Sequence, residues 1–277
     1  MEDLKTQRIA LPRLGLGTYR MDDRSAPAAV ENALRLGYRH VDTAAMYGNE
    51  AGVGAGIAAA GLPRDGLHVT TKVWYDSLTP AGIRKSLDES LKKLKLDFVD
   101  LYLVHWPAPR MDLPAIFETL VRLREEGLTR AIGVCNFTVP LLRQAVDEIG
   151  APVACNQVEY HVMLDQTPLR RYLVARSMPL IAYCPLAQGN LAESEELAAI
   201  GRKHGASAAQ VALKWLLEQE GVAAIPKAQR PESQQANLDA LKIVLDADDR
   251  RLIAGLSKDR RCVDPSFAPE WDKPEAA

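Results

Sequence analysis

Residues 67–105 read LHVTTKVWYDSLTPAGIRKSLDESLKKLKLDFVDLYLVH and contain three elements in a row. Leu67–Val73 and Val99–Val104 are short apolar runs of the kind that form buried strands. Between them, residues 79–95 begin with a capping threonine and a proline, a typical helix start. Apolar side chains then recur on one helical face: Ile83, Leu87, Leu91 and Leu94. This stretch predicts a strand, a helix and a second strand.

The same alternation of short apolar runs and helical segments continues in both directions along the chain. The eight predicted strands are Leu14–Gly17, Arg39–Asp42, Leu67–Val73, Val99–Val104, Ala131–Val134, Val153–Gln157, Leu180–Tyr183 and Ala223–Ile225. Two successive doubly wound domains would show a break in composition between them, and none is evident. The pattern therefore predicts the α/β class and a single (β/α)₈ TIM barrel domain spanning residues 1–277.

The two ends of the chain depart from this repeat. Residues Gln7–Leu11 precede the first strand and predict an N-terminal β-hairpin that closes one end of the barrel. Residues 260–277 are rich in proline and predict an irregular C-terminal tail, either a flap on the substrate side or a disordered end. Phe267 and Trp271 favour the flap, because large aromatic side chains are rarely left in solvent.

Composition excludes several classes of partner. The chain of 277 residues has 34 Lys and Arg and 36 Asp and Glu, a net charge of −2, which gives no electrostatic ground for nucleic-acid binding. No apolar run approaches the roughly eighteen residues of a membrane span, and the N-terminus lacks an export signal. We expect a cytoplasmic monomer with reduced thiols. Its four cysteines are Cys135, Cys155, Cys184 and Cys262.

Four ionisable residues fall at or just after the carboxyl ends of predicted strands, where barrel enzymes have their active sites. They are Asp42, Tyr47, Lys72 and His105. Each residue alone has an ordinary structural explanation, such as a helix cap or a solvated charge. Together they predict an acid–base site, because a nearby ammonium group lowers the pKa of a phenol and Asp42 can keep that lysine charged. Such a tyrosine suits protonation of a carbonyl oxygen.

The residues around this group resemble a known family. The stretch DTAAMYGNE at 42–50 resembles the signature of the aldo-keto reductases, and further blocks agree in order along the whole chain. They are TKVW at 71–74, HWP at 105–107, GVCNF at 133–137, NQVEYH at 156–161 and IPK at 225–227. The ending FAPEWD at 267–272 most resembles the bacterial 2,5-diketo-D-gluconate reductases of the B type.

The resemblance implies an NADP-dependent carbonyl reductase in which Tyr47 is the general acid and His105 orients the carbonyl. Lys72 and Asp42 would lower the pKa of Tyr47. The implied nicotinamide and pyrophosphate contacts are Gly17, Thr18, Asn136, Gln157, Tyr183, Leu186, Gly189 and Leu191. Cys135 and Cys184 stand where many members have serine, and a thiol is a weaker hydrogen-bond donor.

At the adenosine end of the cofactor, the resemblance points to three residues. Lys227 matches the residue that meets the 2′-phosphate of NADP, and Asn237 matches an adenine contact. Ser233 replaces an arginine that many members have, and Arg230 is a candidate substitute. We expect NADPH as cofactor, with NADH as a weaker alternative.

Four aromatic residues are expected to line the substrate pocket: Tyr19, Trp74, Trp106 and Trp271. Such a pocket suits small-molecule carbonyl substrates, and the B-type resemblance implies reduction of 2,5-diketo-D-gluconate to 2-keto-L-gulonate. Two alternatives remain. One is a broad reductase of methylglyoxal and other small aldehydes, and the other is a non-catalytic nucleotide-sensing module. A metal site built on three strand-end cysteines does not fit known ligand spacings, so no metal is predicted.

Overall fold

The computed structural model describes residues 3–6 and 8–273. Eight parallel strands pair in chain order to form one sheet. The strands of the molecule are β1 (Leu4–Lys5), β2 (Ala10–Leu11), β3 (Leu16–Gly17), β4 (His40–Asp42), β5 (His68–Val73), β6 (Val99–Val104), β7 (Thr129–Cys135), β8 (Val153–Glu159), β9 (Leu180–Tyr183) and β10 (Val222–Ala224). Strands β3 to β10 make the sheet, and β1 pairs with β2 in a separate antiparallel ribbon.

The first and last strands of the sheet meet, so the sheet curls into a barrel. Parallel bridges join Leu14 to Ala224 and Gly17 to Lys227. The Gly15 amide donates to the Ala224 carbonyl at 2.9 Å. A Cβ atom at Gly17 would lie 2.5 Å from the Ile225 carbonyl oxygen, so this close approach requires glycine.

Helices alternate with these strands as the periodicity predicts. They are α1 (Ala26–Leu36), α2 (Glu50–Ala60), α3 (Pro80–Leu94), α4 (Leu113–Glu125), α5 (Val139–Leu142), α6 (Thr167–Val174), α7 (Glu195–His204), α8 (Ala208–Glu218), α9 (Pro231–Asp239) and α10 (Ala247–Ala254). In α3, the Thr79 hydroxyl accepts from the Gly82 amide, and all four residues of the predicted apolar face are buried. None of the helices in the described part of the chain is long and apolar enough to cross a membrane.

All eight predicted strands are present. Val99–Val104 and Leu180–Tyr183 have the predicted bounds, and the other six differ by one or two residues at one or both ends. The strands β7 and β8 are longer than predicted, because cross-strand pairing extends them past the apolar run. The N-terminal hairpin is also confirmed. It begins at Leu4, earlier than predicted, and residue 7 of the predicted hairpin lies outside the described residues.

The tail after α10 is irregular, as predicted, through Lys273, where the described residues end. A single antiparallel bridge joins Asp259 to Leu164, and the Lys258 ammonium donates to the Val162 carbonyl at 2.6 Å. These contacts attach the start of the tail beyond the carboxyl end of β8. The tail therefore enters the face of the barrel at which the predicted site residues lie.

Candidate active site

A buried ion pair lies at the carboxyl ends of β4 and β5. These strands pair with Asp42 opposite Thr70, so Lys72, two residues further on, points to the same side of the sheet. The Lys72 ammonium donates to the Asp42 carboxylate and, at 2.8 Å, to the Thr43 carbonyl. It also lies 3.4 Å from the Tyr47 hydroxyl. The structure thus brings together three of the four residues that the sequence singles out.

The protonation of these groups follows from burial and from their mutual charges. Burial lowers the pKa of Lys72, but the Asp42 charge and hydrogen bond, together with Tyr47 and Cys135, raise it above its ordinary value, so the lysine is charged at neutral pH. Burial raises the pKa of Asp42 and the Lys72 charge opposes that rise. Burial also raises the pKa of Tyr47 to about 12, against the lowering effect of Lys72. The Lys72 effect has the predicted direction, whereas the net pKa lies above the ordinary value because burial dominates.

His105 completes the group at the end of β6. Its ring packs edge-on against Tyr47, with 5.6 Å between ring centroids, and against Trp74 at 5.0 Å. Burial and then the Lys72 charge hold the pKa of His105 well below its usual range, so the imidazole is neutral. Its Nδ1 atom is buried without a hydrogen-bond partner in the described part of the protein. A polar ligand oxygen is the natural complement to such a ring.

The residues expected near a nicotinamide form a connected network beside this group. The Tyr183 hydroxyl donates to Asn136 Oδ1 at 2.8 Å, and Asn136 Nδ2 donates to the His105 carbonyl at 3.0 Å. Gln157 Nε2 donates to Asp42 Oδ2 at 2.7 Å, a partner that sequence reasoning missed. Two amides and the half-buried Tyr183 ring supply the hydrogen-bonding groups and the flat surface that a nicotinamide carboxamide and ring require.

Other predicted cofactor contacts are spread along the barrel rim. Thr18 is fully buried and its hydroxyl donates to the Asp42 carbonyl at 2.9 Å. Leu186 is half-buried and Gly189 is exposed with a φ of 96°, so the loop after β9 offers backbone to a ligand. Leu191 lies further along the same loop with its side chain buried in the core beside α7 and α8, so its backbone is the part that a pyrophosphate would meet.

The predicted adenosine-end residues lie after β10 and on α9. Lys227 is exposed, and its ammonium is 3.3 Å from Gln229 Oε1. Arg230 is exposed at the N-cap of α9. Asn237 is 8% exposed, and the hydroxyl of nearby Tyr38 donates to the Gln234 carbonyl at 3.0 Å. The two exposed cations can meet a phosphate in solvent, whereas little of Asn237 is open to a ligand.

Aromatic rings cluster near Tyr47. Tyr19, which is 48% exposed, packs on Tyr47 with 5.0 Å between centroids. From the tail, Phe267 packs against Trp74 at 5.8 Å, Tyr75 at 4.4 Å and Trp106 at 5.4 Å. Phe267 therefore joins the predicted pocket residues Trp74 and Trp106 in one aromatic wall.

Two carboxylates hold the tail in this position. Glu159, at the end of β8, accepts the amides of Cys262 at 2.7 Å and Val263 at 2.9 Å. Asp272 accepts the Val139 amide at the start of α5, at 3.0 and 3.1 Å. The described part of the tail is thus held in place at Cys262, Val263 and Asp272. Sequence reasoning missed both anchors, because neither pattern nor spacing links residues more than a hundred positions apart.

One cluster in the described residues has the ligand types of a metal site: Glu159, His161 and Cys262. His161 Nε2 lies 3.0 Å from Glu159 Oε1 and 3.9 Å from Cys262 Sγ. However, His161 Nδ1 accepts the Met163 amide at 3.3 Å, so the ring proton is on Nε2 and points at Glu159. A metal-bound histidine normally donates from its other nitrogen, so this hydrogen bonding opposes a metal ligand role.

A model of the aldo/keto reductase family matches residues 13–258, and the chain belongs to this family. It is similar to "Methylglyoxal reductase DkgB" of Escherichia coli O157:H7, with 41% identity over 268 residues, 95% of this chain and 100% of that protein. It is also similar to "Methylglyoxal reductase DkgA" of Escherichia coli strain K12, with 36% identity over 254 residues, 91% of each chain.

Two solved structures superpose closely on this chain. A crystal structure provisionally named a 2,5-diketo-D-gluconic acid reductase B superposes with a TM-score of 0.93, 37% identity, and coverage of 99% of this chain and 98% of that chain. The aldose reductase of Schistosoma japonicum superposes with a TM-score of 0.91 and 28% identity, covering 97% and 98% of the two chains. The protein is therefore an oxidoreductase of a family that uses nicotinamide cofactors on small carbonyl compounds.

Proposed function

We propose that this protein is an NADPH-dependent carbonyl reductase in which Tyr47 protonates the substrate oxygen. The observation that carries the proposal is the Tyr47 hydroxyl lying 3.4 Å from the Lys72 ammonium, which is itself paired with the buried Asp42. A hydroxyl beside a permanently charged ammonium group is a donor whose conjugate base is stabilised where it forms.

A Tyr47 pKa of about 12 is compatible with this role. The phenol is fully protonated at neutral pH, so the acid is always in its active form. The oxygen of a reduced carbonyl is an alkoxide, which is a far stronger base than a phenolate, so proton transfer from Tyr47 remains favourable. Lys72 stabilises the phenolate that remains, because its charge opposes the effect of burial.

His105 has a positioning role in this scheme. Because burial keeps its imidazole neutral, it can donate one hydrogen bond to the carbonyl oxygen without adding a second positive charge next to Lys72. Its contacts with Tyr47 and Trp74 fix the plane of the ring. The substrate oxygen is thereby held between the Tyr47 hydroxyl and His105.

A nicotinamide, when bound, supplies the hydride that reduces the carbonyl carbon. Asn136 and Gln157 would hold its carboxamide and Tyr183 its ring. The pyrophosphate would run beside Gly17, Thr18, Leu186, Gly189 and Leu191. Lys227 and Arg230 favour NADPH over NADH, because both are exposed cations suited to a 2′-phosphate. Asn237, which is 8% exposed, would contact adenine.

For the substrate we propose 2,5-diketo-D-gluconate, reduced to 2-keto-L-gulonate, on the tail motif and on the name of one structural neighbour. A second candidate is methylglyoxal, because several relatives are named methylglyoxal reductases. Trp74, Trp106 and Phe267, with Tyr19 and Trp271 at the rim, form a mainly apolar wall that suits a small dicarbonyl compound.

We also propose that residues 1–277 form one domain. The hairpin supports this, since Leu11 is fully buried with core residues inside the barrel, and so does the tail, since Asp272 binds the Val139 amide.

The test is loss of NADPH absorbance with purified protein, using 2,5-diketo-D-gluconate and methylglyoxal over the same concentrations. Tyr47→Phe serves as the matched variant, because it removes only the donor oxygen. We expect turnover by the wild type, a fall in kcat of about 10²-fold or more in the variant, and NADPH binding within about twofold. Retained turnover in Tyr47→Phe would refute the role of Tyr47. Cofactor binding without turnover in the wild type would favour the sensing module.

A further inference from the structure

Arg261 occupies an unusual position in the tail. Its guanidinium carbon lies 3.8 Å from the centroid of the Trp271 ring, so the two groups are stacked. Trp271 in turn faces Trp106, with 6.0 Å between centroids, and Trp106 packs against Phe267. Arg261 therefore adjoins the aromatic wall from the side of the tail.

The guanidinium has no acceptor in the described part of the molecule. Its Nη1 atom is buried without a hydrogen-bond partner, and no ion pair forms with any described carboxylate. A buried arginine nitrogen without an acceptor is uncommon, because buried donors are almost always satisfied. The Trp271 ring covers one face of the group but accepts no conventional hydrogen bond.

The three nearby carboxylates whose charges act on Arg261 are already engaged by other donors. Glu159 accepts two backbone amides of the tail. Asp264 accepts the Trp271 indole N–H at 2.8 Å, and Asp272 accepts the Val139 amide. These carboxylates therefore reduce the electrostatic cost of holding the arginine charged without taking its hydrogen bonds.

Two paths connect Arg261 to His105. The first runs along the aromatic wall through Trp271 and Trp106. The second runs through Asn136 to Tyr183, since the Arg261 charge acts on the Tyr183 hydroxyl and Asn136 bonds both that hydroxyl and the His105 carbonyl. Arg261 therefore adjoins both the aromatic wall and the hydrogen-bond network beside His105.

We propose that Arg261 binds the carboxylate of a carbonyl substrate, so that the site selects keto acids over neutral aldehydes of similar size. This inference rests on the proposed function and narrows its substrate class. A carboxylate matches the planar pair of guanidinium N–H groups and supplies the acceptor that the protein does not. Stacking on Trp271 limits the rotation of the guanidinium before the substrate arrives. The pyrophosphate of the cofactor carries oxyanions that an arginine also binds. The NADPH Kd measured in the test distinguishes pyrophosphate binding from substrate binding.

The test compares 4-carboxybenzaldehyde with methyl 4-formylbenzoate, which differ in charge but present the same aldehyde. In Arg261→Met we expect the ratio of kcat/KM for the acid over the ester to fall about tenfold to a hundredfold, mainly through KM. The ester kcat/KM and the NADPH Kd should stay within about twofold of the wild type. Arg261→Lys should retain part of the ratio, because it keeps the charge but loses the paired N–H geometry.

The neighbouring Arg260→Met is the matched control, since it removes the same charge from an exposed position. An unchanged acid-to-ester ratio in Arg261→Met, or an equal fall in both arginine variants, would overturn the proposal. Equal loss with both substrates together with weaker NADPH binding would overturn it too, and would assign Arg261 to the pyrophosphate.

A second measurement distinguishes failure of the carboxylate contact from failure of the proposed carbonyl reductase function. Calorimetry on the enzyme–NADP⁺ complex gives the Kd of each product alcohol, one with a carboxylate and one with a methyl ester. The ratio of the two Kd values measures the preference for the acid without turnover. An acid preference that disappears in Arg261→Met supports the carboxylate contact even if neither aldehyde is reduced. Equal binding of both alcohols to the wild type contradicts it.

Discussion

The Asp42–Lys72 pair gives a prediction in which stability and catalysis can be separated. Lys72→Met removes the ammonium group from a fully buried position and leaves Asp42, which is 1% exposed, with one remaining side-chain donor, Gln157 Nε2 at 2.7 Å. An uncompensated buried charge costs about 3–5 kcal/mol when its partner is removed. At about 2–4 °C per kcal/mol for chains of roughly this size, the unfolding midpoint should fall by about 6–20 °C at neutral pH.

The loss of stability in Lys72→Met should increase as the pH rises. Burial raises the pKa of Asp42 and the Lys72 charge opposes the rise, so removing Lys72 raises the pKa of folded Asp42 further above that of the unfolded chain. A group with a raised folded pKa contributes stability at low pH that is lost as the pH rises through that pKa. The unfolding midpoint of Lys72→Met should therefore lie only slightly below that of the wild type near pH 4, and the difference should grow toward neutral pH.

Thermal unfolding followed by circular dichroism across this pH range measures the deficit. The double variant Asp42→Asn with Lys72→Met is the control, because it removes both charges and keeps an acceptor for Gln157. It should recover most of the stability, since replacing both members of a buried pair is often neutral. It should not recover carbonyl reduction, because Tyr47 lacks Lys72 in both variants. A pH-independent deficit, or a double variant as unstable as the single, would refute the reasoning.

Two further predictions concern the cofactor and the acid–base group. Lys227→Gln should weaken NADPH binding by about tenfold and leave NADH binding unchanged, because only NADPH carries the 2′-phosphate. Fluorescence titration measures both affinities, and an equal loss for the two cofactors would contradict the phosphate contact. Burial and Lys72 hold the pKa of His105 well below its usual range, so kcat/KM for reduction should not change with pH around 6.5 because of this residue. A fall in kcat/KM below pH 6.5 in a pH–rate profile would show that the imidazole titrates there.

The order of strands and helices was predictable from the sequence because it depends on local periodicity. The apolar runs around β5 and β6 and the capped helix α3 specify their elements within the single stretch 67–105. Strand ends were less predictable. The extension of β8 to Glu159 depends on pairing with β9, which no local pattern records.

Within the candidate site, the sequence alone predicted which ionisable residues lie at or just after the carboxyl ends of the strands. Alternation along parallel strands and the position of strand ends bring Asp42 and Lys72 together, although they are 30 residues apart. Local rules suffice here because β4 and β5 are consecutive and pair directly.

Only the tertiary structure decided how those residues are supported and charged. Closure of the barrel brings Gln157 to Asp42 across 115 residues of chain, and the anchored tail places Arg261 against Trp271 beside the opening. The raised pKa of Tyr47 likewise depends on how completely its surroundings exclude water. Burial, long-range hydrogen bonds and missing acceptors are properties of packed neighbours, so they exist only once distant segments meet.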